Sequence, residues 1–228
     1  ENDQGSAKLI KKAESGKLLA GATFEVREKG GPSVEDTLTT NDDGEVTVKG
    51  LAPGDYQFIE TRAPDGYLIN TTPVDFSIEA SNEGQPAVVV ASDDFVNYQG
   101  SARFRKTDAN KDPLQGAQFQ VEDKNGDSVG EVIDSDNDGY VTVDNLAPGD
   151  YKFVEVTSPT GYLLNQTEID FTIPEKAAGK PEQVKANNGA DFINYKGSAI
   201  LTKTDISNNK LVNAEFKVVD EAGNKVGD

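Results

Sequence analysis

LAPGDYQFIETRAPDGY, residues 51–67, returns almost letter for letter as LAPGDYKFVEVTSPTGY at residues 146–162. Side chains along an extended strand alternate between faces, so Tyr56, Phe58 and Glu60 share one side while Gln57, Ile59 and Thr61 share the other. The second copy keeps this order, with Tyr151, Phe153 and Glu155 on one face and Lys152, Val154 and Val156 opposite. Each copy therefore aims a carboxylate to the side on which two aromatics turn inward. An ionised, unpaired carboxylate in apolar surroundings is costly, so Glu60 and Glu155 are expected to be protonated, paired, or both.

The same register runs outward without a gap, residues 5–78 onto 100–173, at an offset of 95, and the later FVNY and FINY pair (95–98 and 192–195) sits at 97. GSA opens the repeat at Gly5, Gly100 and Gly197. A period near 95 is far longer than a solenoid unit, so the repeats are expected to be tandem domains. They run over 5–99 and 100–196. Residues 197–228 match the first third of a further repeat, expected to lack most of its core, and residues 1–4 match the end of a preceding one, Asn2 falling where Asn97 and Asn194 fall.

Within a repeat the apolar alternation predicts strands near 6–12, 22–27, 45–49, 55–61, 73–78, 86–91 and 94–99, with turns at 30–32, 42–44, 52–54 and 63–66. Short alternating strands punctuated this way predict an all-β fold, tandem antiparallel β-sandwiches. Helix is nearly absent from the pattern, with one turn expected near 174–178. The junctions at Gln99 and Lys196 are too short to act as flexible linkers, so successive domains are expected to form a rod with limited bending.

Acidic residues outnumber basic ones 40 to 22, for a net charge of −18, which repels nucleic acid and anionic lipid surfaces. There is no Cys, Met, Trp or His. That removes the usual general base, the commonest metal ligand, thiol nucleophiles and disulfides. No cofactor is indicated, and no apolar run reaches the length of a membrane span. If the protein is secreted, its leader and any anchor lie outside residues 1–228.

The first and last strands supply partners for the two glutamates. Leu9 shares a face with Lys11, Phe104 with Lys106, Leu201 with Lys203, Phe95 with Asn97, and Phe192 with Asn194. Each full repeat thus sends Lys, Glu and Asn toward one core, from the first, a middle and the last strand. Lys and Glu stand 49 positions apart in both (11 to 60, 106 to 155), and Lys and Asn 86 and 88 apart (11 to 97, 106 to 194). Burial lowers a lysine pKa and raises that of a glutamic acid, so the pair can persist as free amine and neutral acid. A free amine held against a carboxamide is a nucleophile at high effective molarity, and Glu60 and Glu155 can polarise the carbonyl and shuttle the proton to departing ammonia. The product would be an amide joining Lys11 to Asn97 and Lys106 to Asn194, made once by the chain on itself. The alternative is a buried hydrogen-bonded network without a covalent bond. Lys203 has neither Glu nor Asn to meet within residues 197–228.

These residues resemble a known family, the CnaB-type (collagen-adhesin B-repeat) domains of Gram-positive surface adhesins and pilins. The resemblance rests on Lys-Thr-Asp at 106–108 and 203–205, the Leu-x-Gly-Ala-x-Phe block at 114–119, and the Tyr-x-Phe-x-Glu segment with its following Pro-x-Gly-Tyr. It implies a transthyretin-like, inverse-immunoglobulin sandwich and a Lys-Asn isopeptide bond assisted by an acid. The expected role is a stalk of a cell-wall-attached, extracellular adhesin, not a turnover enzyme. Its partners would be neighbouring repeats of the same chain, in a monomer. A module binding a host matrix protein and a pilin subunit are the alternatives.

Asp134, Asp136, Asp138 and Gly139 match the opening of a calcium loop. Position twelve is Asn145 instead of Glu, and repeat one offers only Asn41, Asp43 and Gly44. A tight polar turn without metal is the expectation.

Overall fold

The computed structural model describes residues 4–80 and 88–226. The alignment of Asn2 with the two later asparagines, and the start of the strand expected at 86–91, lie outside the described residues. The chain divides into two compact units, Glu1–Tyr195 and Lys196–Asp228.

The first unit carries β1 (Gly5–Ala13), β2 (Thr23–Glu28), β3 (Ser33–Thr39), β4 (Glu45–Leu51), β5 (Gly54–Arg62), β6 (Ile69–Asn70), β7 (Val74–Ile78) and β8 (Val88–Asn97) in repeat one. Repeat two follows with β9 (Gly100–Thr107), β10 (Gln118–Asp123), β11 (Ser128–Asp134), β12 (Tyr140–Leu146), β13 (Gly149–Thr157), β14 (Ile169–Ile173), β15 (Lys176–Ala177), β16 (Val184–Lys185) and β17 (Asp191–Ile193). Each repeat stacks two sheets. In the first they are β4-β1-β8 and β3-β2-β5-β7; in the second, β12-β9 extended by β16 and β17, and β11-β10-β13-β14.

Alternation drives this arrangement. Along β1 every second residue from Gly5 to Ala13 is buried, which places Ala7, Leu9 and Lys11 inside. The inner faces meet in a core of Leu9, Phe24, Val26, Val46, Phe58, Phe76 and Phe95. Repeat two repeats it with Phe104, Phe119, Val121, Val141, Phe153, Phe171 and Phe192, whose rings pack edge-on or stacked at 4.7–5.9 Å. The invariance of LAPGDY also has a local cause: the hydroxyls of Tyr56 and Tyr151 reach back over the turn to donate to the carbonyls of Ala52 and Ala147, at 2.9 and 3.0 Å.

The structure departs from the sequence expectation in five places. The strands expected at 86–91 and 94–99 are one, β8, in repeat one. The polar strands β3 and β11 were not expected, because each is an edge strand with little core to face and so shows no apolar alternation. The sandwiches are antiparallel except at one seam: β1 pairs in parallel with β8, and β9 with β16 and β17. The turn of helix expected at 174–178 is extended backbone instead, forming β15 against β6, with the backbone N–H groups of Ile69 and Thr71 satisfied by the carbonyls of Glu175 and Ala177. Thr107, which strand alternation puts on the face opposite Phe104 and Lys106, is buried all the same, since the hairpin after it folds back to bridge Thr107 with Pro113.

The second unit is almost entirely exposed, its chain drawn together by short bridges from Thr204 to Lys210 and from Val219 to Lys225.

The turn at 136–139 has a structural function. Asp136 Oδ1 accepts the backbone N–H groups of Asp138 and Tyr140, at 2.9 and 2.7 Å. Gly139 lies at φ 80°, and a Cβ there would stand 2.3 Å from the carbonyl oxygen of Lys106. Gly139→Ala is therefore expected to cost about 2 kcal/mol or more through left-handed strain and displacement of β9. Thermal melting of the variant checks this, and an unchanged melting temperature would refute it.

Candidate functional site

In each repeat, Lys, Glu and Asn come together between the two sheets. Lys11 lies on β1, Asn97 ends β8 beside it, and Glu60 reaches across from β5 in the opposing sheet. All three are buried, as are Lys106, Glu155 and Asn194.

The parallel seam sets the geometry. Lys11 pairs with Phe95 and Lys106 with Phe192, so each asparagine stands one same-face step beyond the lysine's partner. That step is about 6.6 Å of strand rise, which a four-carbon stem can span along the sheet. Each amine donates to the carbonyl of its paired phenylalanine, 3.0 Å in both repeats, and lies 4.7 or 5.3 Å from the same residue's ring centre.

The glutamates hold the asparagines by their nitrogen. Asn97 Nδ2 donates to Glu60 Oε2 at 2.8 Å and also to the carbonyl of Leu68. Asn194 Nδ2 donates to both oxygens of Glu155, at 2.9 and 3.0 Å. The carbonyl of Leu68 can only accept, which fixes which end of the Asn97 amide faces the acid. The sequence expectation had the acid polarising the carbonyl; here it touches the amide nitrogen, the group that would leave. Among the described residues, the buried side-chain polar atoms without a partner are Glu60 Oε1, Asn97 Oδ1, Asn194 Oδ1 and Thr107 Oγ1. Three of these four belong to the two clusters. Unsatisfied buried polar atoms are uncommon, and their concentration in these two clusters sets the clusters apart from the rest of the core.

Electrostatics push both partners toward neutrality. Burial lowers the Lys11 and Lys106 amines to about 8, only partly opposed by the nearby carboxylates. Burial raises the Glu60 carboxyl, against hydrogen bonds from Asn97 and Asn70 and the charge of Lys11. It raises Glu155 likewise, against Asn165, Asn194 and Lys106. An amine with lowered proton affinity beside an acid with raised affinity suits attack and proton delivery within one cluster.

Sequence reasoning missed Asn70 and Asn165. The backbone N–H of each donates to its glutamate, at 2.6 and 2.7 Å, while each side-chain Nδ2 donates to the carbonyl just before the buried asparagine, Val96 or Ile193, at 3.0 and 2.9 Å. They tie the acid to the last strand. The signal was present in GYLIN and GYLLN, where Asn recurs three residues after the tyrosine.

Lys203 is exposed, its amine against the carbonyl of Thr204. The weak metal candidates do not converge: Asp134 accepts from Gln118, Asp136 caps its own turn, and the backbone carbonyl of Asp138 accepts from Arg105. Among the described residues no three acidic side chains gather into a metal site, and no helix is long and apolar enough to cross a membrane.

A family model, the SpaA prealbumin-like fold domain, matches residues 5–93 and 100–190. Colossin-A of Dictyostelium discoideum is 26% identical over 185 residues, covering 75% of this chain and 2% of its own length. The trypsin-resistant surface T6 protein of Streptococcus pyogenes serotype M6 is 32% identical over 81 residues, covering 35% of this chain and 15% of its own. Among solved structures, the Bacillus anthracis TIE protein superposes with a TM-score of 0.54 at 27% identity, covering 99% of this chain and 41% of that one. The chain thus spans less than half the length of each of these relatives.

A lysine kept free in this environment should leave a pH signature. In Asn194→Ala no amide to Lys106 can form, and Lys106 remains a buried amine. Its folded pKa, about 8, lies below the ordinary 10.5, so between these values the unfolded chain binds more protons and stability rises with pH. The gain, complete above 10.5 and lost below about 8, is on the order of 3 kcal/mol. Urea denaturation of Asn194→Ala across this window should show the rise, and Lys106→Met in the same background should flatten it. A flat profile with Lys106 present would mean that the amine is solvated.

Proposed function

The chain belongs to the family of SpaA prealbumin-like fold domains, and from that membership we propose that it is a stalk segment of a cell-wall-attached bacterial surface adhesin or pilin. Each full repeat, 5–99 and 100–196, is stapled by an amide that it makes itself. The membership agrees with the resemblance to CnaB-type repeats, and domains of pilin and adhesin shafts are structural modules at the cell surface rather than enzymes. The observation that carries the staple is the pairing, in both repeats, of a wholly buried lysine with an asparagine whose amide nitrogen donates to a buried glutamate.

In the proposed reaction the neutral amine of Lys11 attacks Cγ of Asn97. The carbonyl becomes tetrahedral, the amine loses one proton to the cluster, and Glu60 delivers one to Nδ2 with which it already shares a hydrogen bond. The Cγ–Nδ2 bond breaks, ammonia leaves, and the carbonyl reforms as an amide to Lys11. Lys106, Asn194 and Glu155 do the same in repeat two. Amine plus carboxamide give substituted amide plus ammonia, with no cofactor and no net change in the acid. Proximity supplies most of the acceleration, since nucleophile and carbon are held by one packed core.

A bond across some 86 or 88 residues removes loop entropy from the unfolded chain, about 4–5 kcal/mol by chain-statistics reasoning. It would also join the first strand to the last, so that tension bypasses the residues between. That is the property a stalk requires.

Intact-mass measurement tests the proposal. The chain should weigh two ammonia molecules less than its residues sum to, and Lys11→Ala or Glu155→Gln one less. Each variant should melt about 20 °C or more lower in the affected domain. A wild-type mass equal to the residue sum would leave only a buried hydrogen-bonded triad and overturn the staple.

A further inference from the structure

Beyond the staple, the two repeats treat one short stretch differently. In repeat one, residues 68–71 form an edge that the second repeat completes. β15 lies in parallel on β6, the N–H groups of Ile69 and Thr71 donate to Glu175 and Ala177 at 2.9 Å, and Asn70 Oδ1 accepts from Gly179 at 3.1 Å. Leu68, only 2% exposed, belongs to the core of the second repeat. Gln99 adds a hydrogen bond to the Asn145 carbonyl at 3.1 Å, and Lys180 pairs with Glu14.

Residues 163–166 of repeat two are the equivalent stretch. Their inward half is the same: the N–H of Leu163 donates to Tyr195 as that of Leu68 does to Tyr98, both at 2.9 Å, and Asn165 holds Glu155 and Ile193 as Asn70 holds Glu60 and Val96. Their outward half is unfilled. Leu163 is 59% exposed and Leu164 44%. The N–H groups of Leu164 and Gln166 have no partner among the described residues, and Asn165 Oδ1 accepts from Thr167 alone. An exposed edge with two adjacent leucines is a template for strand addition.

We infer that residues 163–166 are the docking edge for a following repeat of the same kind, the first third of which begins at Gly197. The occupant is that repeat's counterpart of residues 175–179, added in parallel, with Leu163 entering its core as Leu68 enters the core of repeat two. The interface already formed at residues 68–71, built from equivalent residues, is what identifies the occupant. The inference rests on residues 197–228 opening a further repeat, and does not depend on the staples.

The test is a chain in which Lys196 is followed by a second copy of residues 100–196 in place of 197–228. Residue-resolved amide exchange by NMR should show the Leu164 and Gln166 amides of the middle domain slowed at least tenfold relative to the chain of 228 residues. Leu163→Asp in the middle domain should abolish the slowing while the appended domain keeps its own slow core amides. Unchanged exchange at Leu164 and Gln166 beside a folded appended domain would overturn the inference. So would slowing in the 228-residue chain that grows with concentration, which would assign the edge to a second molecule. Intact mass of the same samples reports the staples separately, so a full ammonia deficit without slowing sinks this inference and leaves the stapled reading standing.

Discussion

The parallel pairing of the first strand of each sandwich with the last is the constraint on which the rest depends. Antiparallel neighbours could be joined by a tight turn, whereas parallel ones need a crossover. Here almost the whole domain is that crossover. Because β1 and β8 run the same way, the C-terminal ends of both strands lie at one end of the sheet, where Lys11 and Asn97 meet beside Glu60. The same ordering means that a pull on the two ends of a repeat loads the seam in shear. A covalent tie at that end would take the load off β2 to β7 altogether.

The cluster is costly to the stability of the fold. Enclosing an amine, a carboxyl and a carboxamide among phenylalanines is costly, and well-packed apolar side chains of similar volume are commonly as stable as a buried ion pair or more so. The cluster leaves Asn97 Oδ1 and Asn194 Oδ1 without partners, which adds to that cost. Burial shifts the amine down and the acid up, so the least costly form of the pair is the uncharged one. That is also the form in which the amine can attack. The two repeats differ in detail, Glu155 accepting with both oxygens where Glu60 uses one, but each puts the acid on the asparagine's amide nitrogen.

Much of this was legible in the sequence, for a physical reason. A period-two alternation that places Lys11, Glu60 and Asn97 on apolar faces, and does so again at Lys106, Glu155 and Asn194, is a burial statement that needs no tertiary information. What escaped notice follows from what alternation cannot encode. β3 and β11 show little of it because they lie at sheet edges. The direction of the seam is invisible, since strand patterns read alike in parallel and antiparallel pairs. Asn70 and Asn165 act largely through backbone N–H groups, which composition does not report. The stretch at 174–178 is extended because a neighbouring domain supplies a strand to pair with, a long-range cause that no local propensity carries.

Asn70 serves two structures at once, holding Glu60 through its N–H and accepting from Gly179 of the next repeat through its Oδ1. This raises the question of whether the cluster needs its neighbour in order to form. Repeat two answers it as an internal control. Asn165 accepts nothing from a following domain, yet its contacts to Glu155, Ile193 and Thr167, at 2.7, 2.9 and 3.0 Å, match those of Asn70 at 2.6, 3.0 and 3.1 Å. The Lys-Glu-Asn cluster therefore takes the same form with or without a partner on this outer edge. The joint is laid over a stretch already held on its inward side by Glu60 and Val96.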